Sequence, residues 1–335
     1  MQLAKGTVRA RAYSSAAMCC LLCVFRFASA DAPQNPREMA VPEWLFPEPP
    51  PKTEAAVGST QQLSVAGSEV KYTLAQINSP FAAPDWHPQS HVRMPNIVAY
   101  GRAPDIFACA FCHTPTGQGR PENSALAGLP AAYIAEQLKA MRSGARNTAG
   151  PATYLPTHNM LASSAHLTDD DIQVAADYFS KQTLGSRVRV IEGTRIPKVI
   201  RADWIYAKAP EGGEEDLGQR IIEIASDQTG HERRDDRMGY LAYVPAGSVQ
   251  RGRELAAGAT GLTQACASCH DLDLRGTDIG PPLAGRFPGY LLRQLVAFKQ
   301  QARSGNRALM MQPVVANLGI QDLIAISAYA ASLPP

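Results

Sequence analysis

Two stretches of this 335-residue chain carry the same three chemistry-bearing residues at the same spacing. Residues 108–113 read ACAFCH, which sets Cys109 and Cys112 three apart with His113 next; residues 266–270 read CASCH and do the same with Cys266, Cys269 and His270. Cys-x-x-Cys serves zinc binding, thiol redox exchange or covalent haem attachment. A four-cysteine zinc site needs no histidine after each pair and leaves His113 and His270 without a role. A thioredoxin-like site wants a strand before one active pair, not two copies each ending in histidine. Haem attachment uses every residue: both thiols become thioethers to the porphyrin, and the same helical turn carries the histidine to the iron. The spacing therefore predicts two covalently bound haem c groups, held by Cys109, Cys112, Cys266 and Cys269, with His113 and His270 on the irons.

The N-terminus brings the cysteine count into line. Lys5, Arg9 and Arg11 precede an apolar stretch from Ala16 to about Phe25, and Ala28-Ser29-Ala30 then offers a small-x-small cleavage site. Residues 1–30 are predicted to be a signal peptide cut after Ala30, which makes the protein periplasmic. No other run is long and apolar enough to span a bilayer, so no transmembrane anchor is expected in the mature chain. Cleavage removes Cys19, Cys20 and Cys23, and the other four of the seven cysteines all lie in the two motifs. It also removes Lys5, Arg9, Arg11 and Arg26, taking the formal charge from +2 to −2. A mildly acidic chain has no electrostatic reason to bind nucleic acid.

The elements that must position these residues are themselves duplicated. LAGLPAAYIAEQL (126–138) follows the first motif and LAGRFPGYLLRQL (283–295) the second, matching at Leu-Ala-Gly, at Tyr133 and Tyr290, and at Gln-Leu. Further on, residues 160–178 match 311–329 at a methionine, a leucine, an aliphatic residue and a tyrosine. Ile134, Leu138 and Met141 fall on one helical face, and Leu291, Leu295 and Phe298 repeat it. A helix is expected to start after Pro130. Thr168 before three aspartates predicts an N-cap and a helix to about Lys181, with a partner from about Gln321 to Ser332. Helices begun near Pro104 and near Ser248 are expected to carry the two motifs. Each repeat is small for a free-standing domain, and a covalently held apolar cofactor supplies the missing core.

A haem iron held by one histidine has a second axial position. Met160 lies 47 residues after His113 and Met311 lies 41 after His270, at equivalent points of the repeat. Both are expected on loops before the last helix of their copy and are predicted to be the second ligands. Met310, adjacent to Met311, is the alternative in the second copy, and His158 or His166 near Met160 would make the first haem bis-histidine. His87, His91 and His231 lie outside both repeats and are read as ordinary polar residues.

With these residues in view, the sequence resembles a class I cytochrome c in its two-domain, two-haem form. The Cys-x-x-Cys-His motifs, the Leu-Ala-Gly segments, the Tyr-x3-Gln-Leu helices, Met160, Met311 and the tyrosines of the last helices carry the likeness, over roughly residues 96–185 and 240–335. The resemblance implies small all-helical haem domains, His/Met-ligated iron and one-electron transfer between periplasmic partners. Three departures stand out. Pro281-Pro282 precedes the second Leu-Ala segment and supplies the usual backbone partner of the ligating histidine, but Ser124-Ala125 stands there in the first. Asp271 follows His270 where the family often has glycine. About 60 residues, 186–245, separate the copies where compact members have a short linker.

The fold class expected is mostly α: two tandem cytochrome c domains, 96–185 and 246–335, with a short β-containing connector at 186–245 and a Pro-rich extension at 31–95. PEWLFPEPPPK (42–52) reads as an extended arm wrapped over the haem domains and anchored by Trp44 and Trp86. RVRVIEG and QRIIEIA show strand-like alternation, so two or three strands are expected in the connector. HERRDDR (231–237) reads as a solvated charged face. Functionally, the chain is expected to carry single electrons from a dehydrogenase or quinol-oxidising donor to a terminal oxidase or reductase, either as a free carrier or as the electron-transfer subunit of a periplasmic dehydrogenase, rather than to be an enzyme itself. The alternative is a dihaem enzyme, a peroxidase or a thiosulfate-oxidising cytochrome with one open or switchable haem; no cysteine is spare to ligate iron in the latter.

Overall fold

The structure is a computed structural model and describes residues 39–50 and 60–335. The predicted signal peptide, its cleavage site at Ala30 and Cys19, Cys20 and Cys23 lie outside these residues, as does the end of the Pro-rich arm. Among the described residues the extension contains one α-helix, α1 (Leu74–Ile77), and two 3-10 turns, Glu43–Leu45 and Pro88–Ser90. The first haem-motif unit follows with α2 (Asn96–Ala99), α3 (Cys109–His113), α4 (Ala131–Arg142), α5 (Leu155–Ala165) and α6 (Asp169–Ser180). Strands β1 (Val188–Gly193), β2 (Arg195–Pro197), β3 (Val199–Ala202), β4 (Ile205–Lys208), β5 (Glu214–Asp216) and β6 (Ile222–Ala225), helix α7 (Gln228–Glu232) and strand β7 (Tyr240–Pro245) make the connector. The second unit is α8 (Ser248–Ala256), α9 (Ala267–His270), α10 (Pro288–Lys299), α11 (Met311–Val315) and α12 (Ile320–Ser332).

The helices that carry strong sequence signals form where expected. α4 starts directly after Pro130, with Ile134 and Leu138 buried. Thr168 caps α6 in a reciprocal box: its hydroxyl accepts from Asp171 N while the Asp171 carboxylate accepts from Thr168 N. The motif helices differ from expectation. α3 begins at Cys109, not near Pro104, because the chain first makes a tight turn in which Arg102 pairs with Ile106. Gly101 (φ 62°) permits that turn, since a Cβ there would stand 2.1 Å from the Ile106 carbonyl oxygen. In the second unit, α8 stops at Ala256, Gly258 takes φ 73°, and the motif helix α9 is separate.

The connector is larger than two or three strands. Seven strands form a five-stranded sheet of order β1-β7-β6-β4-β3 and a two-stranded β2-β5 ribbon. β1 runs parallel to β7, and β4 parallel to β6, with the other neighbours antiparallel. Every residue of β6 is buried. HERRDDR is not a solvated face: His231 and Asp236 are buried, and Arg234 lies 3.7 Å over the Phe111 ring, inside the first motif.

Two main cores result. One belongs to the first unit and gathers Ile97, Val98, Ile106, Leu129, Ile134, Leu138, Ile172 and Phe179. The other joins the second unit to the connector and the arm, with Leu45 and Phe46 packed among Leu292, Val296, Leu323 and Ile324. The arm therefore does wrap the haem units, but Leu45 and Phe46 anchor it while Trp44 is half-buried; Trp86 is buried with Val65 and Ile77 in a small separate cluster.

Glu223, on β6, meets the first turn of α10, where its carboxylate accepts from Gly289 N, and burial pushes it up to about 8 despite the attraction of Arg293. A carboxyl protonated in the folded state but ionised in the unfolded state costs stability as pH rises from about 4.5 to about 8. Glu223→Gln is therefore expected to match the parent protein near pH 4.5 and to exceed it above pH 8, by a few kcal/mol at ~1.4 kcal/mol per unit. Urea unfolding at the two pH values measures the difference.

Candidate functional site

In each unit a single short helical turn places two cysteines and a histidine at the wall of one continuous cavity, which Cys109, Cys112, His113, Cys266, Cys269 and His270 all line. Both histidines are buried. His113 Nδ1 donates to Ser124 O at 2.8 Å and His270 Nδ1 donates to Pro281 O at 2.8 Å, each acceptor 11 residues further along. A carbonyl can only accept, so Nδ1 carries the proton and Nε2 keeps a lone pair for a metal. Burial lowers both histidine pKa values and so favours that neutral form. The missing proline in the first copy is thus without consequence for the ring: Ser124 supplies the same carbonyl.

The thiols are not arranged for redox exchange. Burial pushes Cys109 up to about 12 and Cys266 up to about 11, and raises Cys112 as well. Reactive dithiols need the opposite shift. Zinc fits no better: among the described residues, neither of the two groups able to hold a metal ion includes a cysteine.

Met160 and Met311 both line the cavity, as does Met310. They stand on helices rather than loops, Met160 within α5 and Met311 opening α11. Met160 is half-buried against the first core and Met311 against the second, whereas Met310 is 53% exposed. Neither His158 nor His166 lines the cavity.

The motif is followed in both copies by strained backbone. Thr114 has φ 64°, ψ 156° and Asp271 has φ 73°, ψ 161°, a region that only glycine enters freely. Asp271→Gly is expected to raise stability by ~1 kcal/mol, less the hydrogen bond that Leu272 N donates to Asp271 Oδ1. Thermal unfolding of the haem-loaded variant checks it.

Between the motifs the cavity is lined by a cluster that motif reading missed. Arg146 donates to Gln137 Oε1 (2.9 Å), Tyr290 Oη (2.9 Å) and Gln294 Oε1 (3.1 Å), and Arg303 donates to Gln294 Oε1 (3.0 Å) and Gln137 Oε1 (2.6 Å). The backbones join as well, with Asn147 N donating to Ala302 O and Ser304 N to Ala145 O, both at 2.7 Å. A readable signal existed: an arginine follows Tyr133 and Tyr290 at the same distance. The long connector has not kept the units apart. Arg286 reinforces the contact by donating to Ala125 O at 2.7 Å.

Arg146 and Arg303 are 8% and 5% exposed, and among the described residues neither has a carboxylate partner. Burial alone would push the Tyr290 hydroxyl up, but the two guanidinium groups hold it below its ordinary value. Buried cations without counter-charges are costly. Covalently held haem brings carboxylates into such a cavity, so the residues present fit that group.

Comparison with known proteins agrees. The cytochrome c family model matches residues 101–183 and 251–334. Cytochrome c4 of Azotobacter vinelandii is 24% identical over 229 residues, 67% of this chain and 84% of that protein. Cytochrome c-554(547) of Halothiobacillus neapolitanus is 35% identical over 88 residues, 24% of this chain and 97% of that protein. The thiosulfate dehydrogenase electron acceptor of Thiomonas intermedia (strain K12) is 23% identical over 234 residues, 69% of this chain and 81% of that protein. The repeated motif, the duplicated helical unit and these matches together place the chain in the cytochrome c family, as an electron-transfer cytochrome with two covalently bound haem c groups.

Proposed function

We propose that this protein is an exported two-haem relay that accepts electrons singly from a periplasmic dehydrogenase, of which a thiosulfate-oxidising enzyme is the best-supported kind, and passes them to a terminal oxidase or reductase. One observation carries the reading: both sets of Cys, His and Met side chains open onto one continuous cavity with a shared arginine cluster between them. The name of the Thiomonas relative supports the choice of donor. The signal-like N-terminus supports export, and among the described residues no helix is long and apolar enough to cross a membrane.

Haem supplies the one-electron chemistry when bound; the chain's own residues set its conditions. Cys109, Cys112, Cys266 and Cys269 tether the group. His113 and His270 present Nε2, oriented through Nδ1 by Ser124 and Pro281. Met160 and Met311, which line the same cavity, would supply thioether ligands to the iron, ligation that raises the potential and would leave no position for a substrate. The buried walls exclude water. Ile279 and Met310, at the edge of the cavity beside the second motif, are 52% and 53% exposed and offer apolar surface that a partner protein would cover.

Stopped-flow mixing with a thiosulfate dehydrogenase and thiosulfate tests the reading. Both haems are expected to be reduced, and a methionine–iron charge-transfer band is expected in the oxidised protein. Turnover of thiosulfate or peroxide by the cytochrome alone, or a high-spin haem, would instead establish the enzyme.

A further inference from the structure

Away from the haem cavity, three segments distant in sequence meet at a buried cluster. His87 belongs to the extension and is 0% exposed. Its Nε2 lies 3.3 Å from Asp235 Oδ1 and 4.0 Å from Asp236 Oδ1, and the three ligating atoms lie within 4.8 Å of one another. Asp235 and Asp236 follow α7, and their side chains are 11% and 3% exposed. Thr116, just beyond the first motif, donates its hydroxyl to Asp236 Oδ2 at 2.8 Å. Asp236 Oδ1, aimed at His87, has no hydrogen-bond partner although it is buried. Among the described residues neither carboxylate is paired with an arginine or lysine; His87 is the only cationic-capable group bridged to them.

An ion pair between His87 and Asp235 alone leaves Asp236 Oδ1 unsatisfied, at a cost of several kcal/mol for a buried charge. A cation seated among the three atoms satisfies all of them. One imidazole nitrogen and two carboxylate oxygens form a donor set suited to divalent first-row metals, zinc among them. Two ligands ~2.1 Å from a tetrahedral zinc stand ~3.4 Å apart; against the observed 3.3 and 4.0 Å and the 4.8 Å bound on all three separations, closing on the ion requires inward movement of at most ~1.4 Å. The Thr116 hydroxyl already orients Asp236 as an outer-shell partner would. Asp235, at 11% exposure the least buried of the three, leaves the site open to a solvent molecule as the remaining ligand.

We propose that His87, Asp235 and Asp236 form a divalent transition-metal site, best matched to zinc, that staples the extension and the connector to the segment following the first haem motif. None of its three residues lines the haem cavity.

The test uses the full chain with both haems, stripped with a chelator and then titrated with zinc chloride. Calorimetry is expected to show one zinc per chain, with a matching rise in unfolding temperature. Asp235→Asn and His87→Gln are expected to weaken that binding at least ~10-fold, the range seen when even outer-shell partners are lost, and to abolish the thermal gain. Asp236→Asn is expected to do the same where its haem absorption shows that it folds; the titration of the parent protein and of Asp235→Asn decides the matter in any case. Absence of saturable zinc binding, or binding that Asp235→Asn and His87→Gln leave unchanged, overturns the assignment.

Discussion

Replacing Cys266 and Cys269 by serine is expected to yield a protein with one haem, a mass lower by one haem group and about half the haem absorbance, and to unfold the second unit. The first two outcomes follow from the two tethers. The third follows from packing. Leu291, Phe298, Val315, Leu318 and Ile326 are buried and line the cavity. Without a cofactor they face an unfilled cavity, which costs ~24 cal/mol per Å³. Half of the 370 Å³ void shared by the two units amounts to ~4 kcal/mol, comparable to the ~5 kcal/mol at the lower end of what a whole domain has. The first unit has its own core and is expected to keep its haem. Electrospray mass spectrometry and far-ultraviolet circular dichroism of the exported variant read all three outcomes. A stable, fully helical protein with one haem would show that the second unit does not depend on its cofactor.

Arg146→Met is expected to lower the reduction potential of both haems together. A buried cation near each redox centre favours the state with one more electron. At the effective dielectric of a protein such a charge contributes on the order of 1 kcal/mol, which is tens of millivolts for a one-electron couple. Both haems shift because Arg146 and Arg303 share Gln137 and Gln294, so losing one guanidinium also releases the other. Arg146→Lys keeps the charge without the fork and is expected to restore most of the potential. Spectroelectrochemical titration resolves the two couples. Unchanged potentials, or a shift in one haem only, would show that the cluster is structural.

The parts of this molecule that sequence makes legible are those encoded locally or twice. Two Cys-x-x-Cys-His copies consume every motif cysteine, and Thr168 followed by Asp171 spells its own cap. What was misread depends on distant partners. HERRDDR looks like a solvated run because its partners, His87, Thr116 and Phe111, lie far away in the chain. The strand count fell short because β2 and β5 have three residues each and no alternation of apolar with polar side chains. Met160 and Met311 were expected on loops, yet α5 and α11 carry them; Pro156 and Pro313 fall in the first turns of those helices, where proline is tolerated. The arginine cluster left one trace in sequence, the equal spacing of Tyr133 to Arg146 and Tyr290 to Arg303, but its value lies in what it faces.

The arm has a consequence for assembly. Leu45 and Phe46 find their places among α10 and α12, and Arg293 Nη1 donates to Leu45 O across 248 positions of sequence. The earliest part of the described chain to emerge from the ribosome is thus among the last to be seated. Until α10 and α12 have been made, the stretch around residue 45 must wait unpacked, open to proteases and chaperones. The seating of Leu45 and Phe46 is therefore gated by the second unit, and a chain halted after the first motif has no place for them.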